Sequence, residues 1–194
     1  MTGEELRELL RLDVLSGARR LLGCTLEFPG GQARIIETEA YRGSDDPGCH
    51  AFGRSSMKNR SLFGRPGSAY VYTSYGIHQM LNVVCLPEGI AAGVLIRALR
   101  PLDGSALPGV RALGGPGKLA RALGVDARLN GCDLLDGSAP LRIVPGEPPR
   151  AVLCGPRIGL SPGKGEDLPW RYVAAEDLNW ISASRRDLSP ESTR

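Results

Sequence analysis

Histidine is scarce in this chain: His50 and His78 are its only two. The five cysteines (Cys24, Cys49, Cys85, Cys132 and Cys154) are odd in number, widely spaced and form no C-x-x-C pair. A zinc site of three or four N/S ligands is hard to assemble from that set, so no metal is expected. The same spacing argues against a disulfide framework and for reduced thiols in a cytoplasmic setting. No apolar run approaches the roughly 20 residues of a membrane helix. The opening Met1-Thr2-Gly3-Glu4-Glu5 lacks a basic start and an apolar run, which predicts no secretory signal. Charge of either sign is not in large excess: 24 Lys and Arg face 21 Asp and Glu, for a net +3. That balance permits a nucleic-acid partner without pointing to one. Aromatics make up 5% of the chain, which makes their placement informative.

What is present fits one ordinary globular domain. A chain of 194 residues with 42% hydrophobic content can bury one full core but not two comfortable ones. Glycine and proline together are about a fifth of the residues, so short elements and many turns are expected. Thr2 and Glu5 fit a capping box ahead of Leu6, Leu9 and Leu10. Asp13 can cap a second helix that Gly23 stops. Residues 24–28 and 33–41 read as strands joined by Pro29-Gly30-Gly31. Residues 42–66 form a long loop, of the kind that is often functional. Residues 68–72 and 79–86 read as a hairpin with 73–76 at its tip, and 93–99 as a third strand. A short helix over 118–123 follows Gly115-Pro116-Gly117. Strands are further expected at 141–144, 151–153 and 171–173, and the tail from about 184 reads as frayed. The fold class is α+β: a central, mostly antiparallel curved sheet, short helices around it and a protruding β-hairpin.

Residues 37–82 concentrate the chemistry. Glu37 and Glu39 stand two apart in a strand, on one face with Ile35 and Tyr41. The other face (Arg34, Ile36, Thr38, Ala40) is not cleanly apolar, so both faces are expected to be covered. A covered carboxylate needs a partner or a task. Arg97, a charge inside the buried-looking run 94–99, is the candidate partner, in a structural ion pair or a functional one. His50 sits in the long loop, where exposed polar histidines are common. Tyr70 and Tyr72 share one side of a strand, as core aromatics often do. Tyr75 is different: at a hairpin tip it cannot pack into its own core and is available to a partner. Gly114-Gly115-Pro116-Gly117-Lys118 lacks the spacing and the hydroxyl residue of a triphosphate loop. Lys118 can still meet a backbone phosphate.

Taken in order, these motifs resemble those of the alkyladenine DNA glycosylase family, the vertebrate-type 3-methyladenine DNA glycosylases. The matching runs are Glu37-Thr38-Glu39-Ala40-Tyr41, the Asp46-Pro47-x-x-His50 loop, Asn59-Arg60, Pro66-Gly67, Tyr70-Val71-Tyr72-x-x-Tyr75-Gly76, Asn82, the strand from Leu95 through Arg97 to Pro101, and Gly115 to Leu119. The resemblance covers residues 12–182. It implies a monofunctional enzyme of base excision repair that flips alkylated or deaminated purines out of double-stranded DNA and cuts the N-glycosidic bond. By the same resemblance, Glu39 is the general base and Arg97 holds it and the attacking water. Tyr41 and Tyr72 sandwich the flipped base, His50 lies along the pocket wall, and Asn82 crowds the 2-amino group of guanine. Tyr75 wedges into the duplex.

Phosphate contacts are expected from Arg60 and Lys118, and from Arg54, Arg65 and Lys164. No cofactor, no membrane contact, a monomer and a cytoplasmic, nucleoid-associated workplace are expected. No lysine belongs to the matched set, so no Schiff base or strand-cleaving lyase step is expected. Two other classes compete: a non-catalytic nucleic-acid-binding module, which has no use for Glu39, and a free-nucleoside hydrolase, which needs no wedge at Tyr75.

Overall fold

The capping box at the N-terminus forms as the sequence predicts. Thr2 Oγ1 accepts the Glu5 N–H at 3.2 Å, and the Glu5 carboxylate accepts the Thr2 N–H at 2.6 Å. These two bonds open helix α1 (Gly3–Leu12). Asp13 then accepts the Ser16 N–H at 2.8 Å and caps α2 (Val14–Leu21). Gly23, at φ +88°, turns the chain into the sheet; a Cβ there would lie 2.0 Å from the Glu147 carbonyl. The structure, a computed structural model, describes residues 1–53, 55–102, 113–181 and 183–191. Arg54, an expected phosphate contact, and Ser182, the end of the matched span, lie outside the described residues.

Among the described residues, nine strands form one sheet. They are β1 (Thr25–Phe28), β2 (Gly31–Tyr41), β3 (Ala69–Ser74), β4 (His78–Val84), β5 (Gly93–Pro101), β6 (Arg142–Val144), β7 (Val152–Gly155), β8 (Arg171–Ala174) and β9 (Ser189–Pro190). The spatial order is β3-β4-β5-β2-β8-β7-β9, with β1 pairing β2 and β6. Each of these pairings is antiparallel. β2 is the long central strand: its first residues pair with β1 and its later ones with β8, while β5 runs along its other edge. Helix α3 (Pro116–Ala122) packs on β4 and β5. The α+β class and the protruding β3–β4 hairpin match the sequence expectation.

The main core lies between the helices and one sheet face. Leu6, Leu10, Val14 and Leu21 from the helices meet Leu26, Ile35, Ile96 and Leu99 from the strands. Each such side chain contributes about 1.5–3 kcal/mol when fully buried. Ile36, Ala98 and Val173 form a smaller cluster on the opposite face.

Two expectations need correction. The tail is not simply frayed: β9 adds to β7, and Arg19 of α2 is ion-paired with Glu191. Pairing with a distant strand leaves no local trace in composition. Ile35 also does not share a face with Glu37 and Glu39. The β2–β5 register shifts between Ile35 and Thr38, and a bulge reverses which side each residue faces. Ile35 and Ala40 therefore enter the main core, and the Thr38 hydroxyl donates to the Ala18 carbonyl at 2.9 Å on that same side. The glutamates are turned to the other face.

Candidate active site

Cross-strand register assembles the site. Tyr70 stands opposite Asn82, Asn82 opposite Leu95, Leu95 opposite Glu39, and Glu39 opposite Arg171. Residues directly opposite in a sheet project to the same face. One row thus gathers five side chains from five strands.

Glu39 is fully buried. Its Oε1 accepts the Ile158 N–H at 2.8 Å and lies 3.1 Å from Arg97 Nη1. Its Oε2 accepts the Tyr41 hydroxyl at 2.8 Å. A carboxylate oxygen offers about two lone pairs, so Oε1 is filled and Oε2 keeps one for a further donor such as water. Burial pushes the Tyr41 phenol well above its ordinary range, and the neighbouring Glu39 charge pushes it further. The phenol therefore stays protonated and donates.

Arg97 bridges both carboxylates: its Nε lies 3.3 Å from Glu37 Oε1. A second buried guanidinium, Arg171, lies 3.6 Å from that same oxygen and donates to the Ser184 carbonyl at 2.7 Å. Two carboxylates and two guanidiniums form a closed group with matched charge. The sequence reading paired Arg97 with the glutamates correctly. It gave Arg171 no role.

Asp46 and Arg157, also given no part in the site by the sequence reading, form a fully buried bidentate pair at 2.6 and 2.8 Å. Arg157 further donates to the Ala40, Lys164 and Gly165 carbonyls. Its guanidinium sits 4.7 Å over the Tyr41 ring and 5.0 Å over Trp170. One side chain therefore ties together the end of β2, the loop before His50 and the segment that carries Ile158. The only sequence signal was a charge inside the run Gly155-Pro156-Arg157-Ile158-Gly159.

An aromatic wall faces this polar group. His50 Nδ1 and the Tyr70 hydroxyl are 2.9 Å apart. The His50 and Tyr72 rings meet edge to face at 4.2 Å, and Tyr70 stacks on Tyr72 at 5.6 Å. Burial pushes the Tyr72 phenol up to about 12. Asn82 is buried, and its Nδ2 donates to the Tyr70 carbonyl at 3.1 Å, which fixes the amide. Tyr41, His50, Tyr72, Asn82 and Arg97 line one cavity of about 290 Å³. That is near the lower end, roughly 300 Å³, for pockets that hold small molecules. Glu39 does not line the cavity itself but contacts three residues that do, Tyr41, Arg97 and Ile158.

Tyr75 stands at the mouth of the cavity and is 87% exposed. It and Gly76 adopt left-handed φ of 50° and 73°, and the Ile77 N–H closes on the Ser74 carbonyl at 3.2 Å. A left-handed non-glycine residue costs roughly 1–2 kcal/mol. The hairpin thus holds a bulky ring outward at some expense. A wider groove of about 1020 Å³ adjoins the cavity and shares His50 and Tyr72 with it; Lys58 and Lys164 line it. Arg60, Arg65 and Lys118 are exposed. Lys58 carried no signal beyond its charge.

Among the described residues, no group of three or more His, Cys, Asp or Glu side chains is placed to hold a metal ion. No helix among them is long and apolar enough to cross a membrane.

The profile of the family described as methylpurine-DNA glycosylase matches residues 8–178. A protein of Rubrobacter xylanophilus is 51% identical over 185 residues, covering 90% of this chain and 94% of that protein. One from Nitrosospira multiformis is 44% identical over 166 residues, covering 81% and 83%. One from Rhodopseudomonas palustris is 46% identical over 173 residues, covering 85% and 81%. Each of the three carries the name "Putative 3-methyladenine DNA glycosylase".

Proposed function

This chain belongs to the methylpurine-DNA glycosylase family, and we propose that it removes alkylated or deaminated purines from duplex DNA with a water activated by Glu39. The substrates in this reading are 3-methyladenine, 7-methylguanine, hypoxanthine and ethenoadenine, and the product is an abasic site. The observation that carries it is the joining of two unlike features at one cavity. A buried carboxylate with one acceptor position left open stands behind the cavity, and an exposed tyrosine is held at its mouth. A free-nucleoside hydrolase needs the first alone, and a nucleic-acid-binding module the second alone.

The base enters between Tyr41 and Tyr72, and stacking there is worth roughly 1–3 kcal/mol per base. Tyr75 fills the vacated place in the duplex, as intercalating side chains do. A water on the remaining lone pair of Glu39 Oε2 gives its proton to the carboxylate as its oxygen bonds C1′. The electrons of the C1′–N bond leave with the purine. Attack opposite the leaving group inverts the anomeric centre. A purine made cationic by alkylation in the DNA, as at 3-methyladenine, needs no added proton to leave. Hypoxanthine must also gain a proton, so its release falls more steeply as pH rises. Lys58, Lys164, Arg60 and Lys118 serve the phosphates. The enzyme acts as a monomer, as one domain, in the cytoplasm at the nucleoid.

The deciding assay is base release from duplex oligonucleotides carrying 3-methyladenine or hypoxanthine, with no metal or cofactor added. Binding of such duplexes without release of any modified purine would sink the proposal.

Two mutations probe the cavity and its mouth. Asn82→Ser shortens a side chain whose amide is fixed against the Tyr70 carbonyl. It should relax rejection of guanine-like bases, since specificity by obstruction is lost with the obstacle. Unchanged rejection of a duplex guanine derivative carrying the 2-amino group would remove Asn82 from that role. Tyr75→Ala removes a ring that is 87% exposed, so thermal stability should hardly move. Flipping should weaken instead, most where the lesion pairs well and least at mismatches. Ethenoadenine fluorescence follows it directly. Normal flipping with a large fall in Tm would make Tyr75 a packing residue.

A further inference from the structure

Glu37 takes no part in the reaction above, yet it is fully buried beside Glu39. Its Oε1 receives Arg97 Nε at 3.3 Å and faces Arg171 Nη1 at 3.6 Å. Its Oε2 is buried and has no hydrogen-bond partner among the described residues. A carboxylate kept out of water with half of its acceptor capacity unused is costly. An alanine or a leucine would leave no unpaired polar atom there.

We propose that Glu37 is a positioning residue for base excision: by sharing Arg97 with Glu39, it keeps Glu39 basic enough to take a proton from water. The inference rests on the reading of Glu39 as the general base. Arg97 spans the two carboxylates with different nitrogens, Nε to Glu37 and Nη1 to Glu39. An arginine facing a single carboxylate closes a two-bond fork on it. Such a fork on Glu39 would occupy the lone pair of Oε2 that water needs. Glu37 holds one side of the guanidinium away and offsets the charge of Arg171.

Charged and titratable groups of several elements face the two glutamates. Tyr41 and Glu37 lie on the strand of Glu39, Arg97 on β5, Arg171 on β8, and Tyr72 on β3. Arg157 and the Ile158 N–H come from the segment after β7. Glu37 faces Arg97, Arg171 and Glu39. Burial pushes the Glu37 carboxyl up, against the pull of both arginines.

The experiment is single-turnover release of 7-methylguanine from a duplex oligonucleotide across pH, with wild type, Glu37→Gln, Arg171→Met and Glu39→Gln. That base is already cationic in the nucleotide and leaves neutral, taking the C1′–N electrons, so protonation of the leaving group does not enter the acid limb. Glu37→Gln keeps an oxygen for Arg97 and deletes one negative charge. Its acid limb should move down by about one pH unit, with a severalfold lower plateau because the base is weaker. Arg171→Met deletes a positive charge and should move the limb up. General loosening of the site cannot produce opposite shifts. Should Glu37→Gln not fold, the upward shift in Arg171→Met carries the test alone. Profiles that superimpose on wild type, or fall uniformly with pH alongside a lower Tm, overturn the proposal and leave Glu37 structural. Full release by Glu39→Gln fails the general-base reading instead, and this inference falls with it.

Discussion

Glu39→Gln is expected to lose base release by roughly 10²–10⁴-fold, the range for a positioned general base, while still binding lesion DNA. The amide can be accommodated without strain. Its oxygen can face the Ile158 N–H and Arg97, as Oε1 does now. Its NH₂ can then donate to the Tyr41 hydroxyl, which accepts as readily as it donates. Arg97 keeps Glu37 as a partner. The loss should therefore fall on the chemical step and not on folding or affinity. Single-turnover kinetics with a separate binding isotherm resolves the two. Release within a few fold of wild type would move the base elsewhere, and Glu37 would be the first residue to test.

The largest effect on stability is expected from breaking the Asp46–Arg157 pair. Both side chains are fully buried, and removing one partner strands the other charge away from water. Such losses run to about 3–5 kcal/mol. For a chain of 194 residues this corresponds to roughly 6–20 °C in Tm. Asp46→Asn should show it by urea or thermal melting. The double variant Asp46→Leu with Arg157→Met should recover part of the loss, because no charge is then stranded. A shift under about 1 kcal/mol in Asp46→Asn would mean the pair contributes no more than a surface one.

The pair also sets a direction with pH. Burial acts to raise the Asp46 carboxyl, but Arg157 and the Arg42 and Gly48 N–H groups outweigh it and hold the group below its usual range. A depressed carboxyl stabilises the fold above its unfolded value of about 3.9. That contribution is lost as pH falls through the lower folded value. Acid should thus loosen the clamp behind Tyr41 only below about pH 4.

Local patterns predicted the elements well where the cause was local. The Thr2–Glu5 box, the Asp13 cap, the glycine turn after β1 and the tyrosine at the hairpin apex rest on neighbours within four residues, so a reader of the chain can find them. Strand ends were less legible. Thr73 and Ser74 belong to β3 and not to its tip, because they pair with Gln79 and His78. The bulge in β2 was invisible, since it depends on register with β5, about sixty positions on.

The sequence alone determined which chemistry was available: a pair of glutamates, one arginine inside a buried strand, and tyrosines crowded into one stretch. It also carried the ordered motifs that place the chain among methylpurine-DNA glycosylases. Only the tertiary structure decided which groups share a charge. Glu37, Glu39, Arg97 and Arg171 meet because β2 lies between β5 and β8, and Asp46 meets Arg157 across 111 positions of chain. The physical reason is the range of each effect. Capping and turn preferences act through a few covalent bonds and are written in neighbouring residues. The energy of a buried charge depends on whatever the fold brings within a few ångströms, and that is set by strand order.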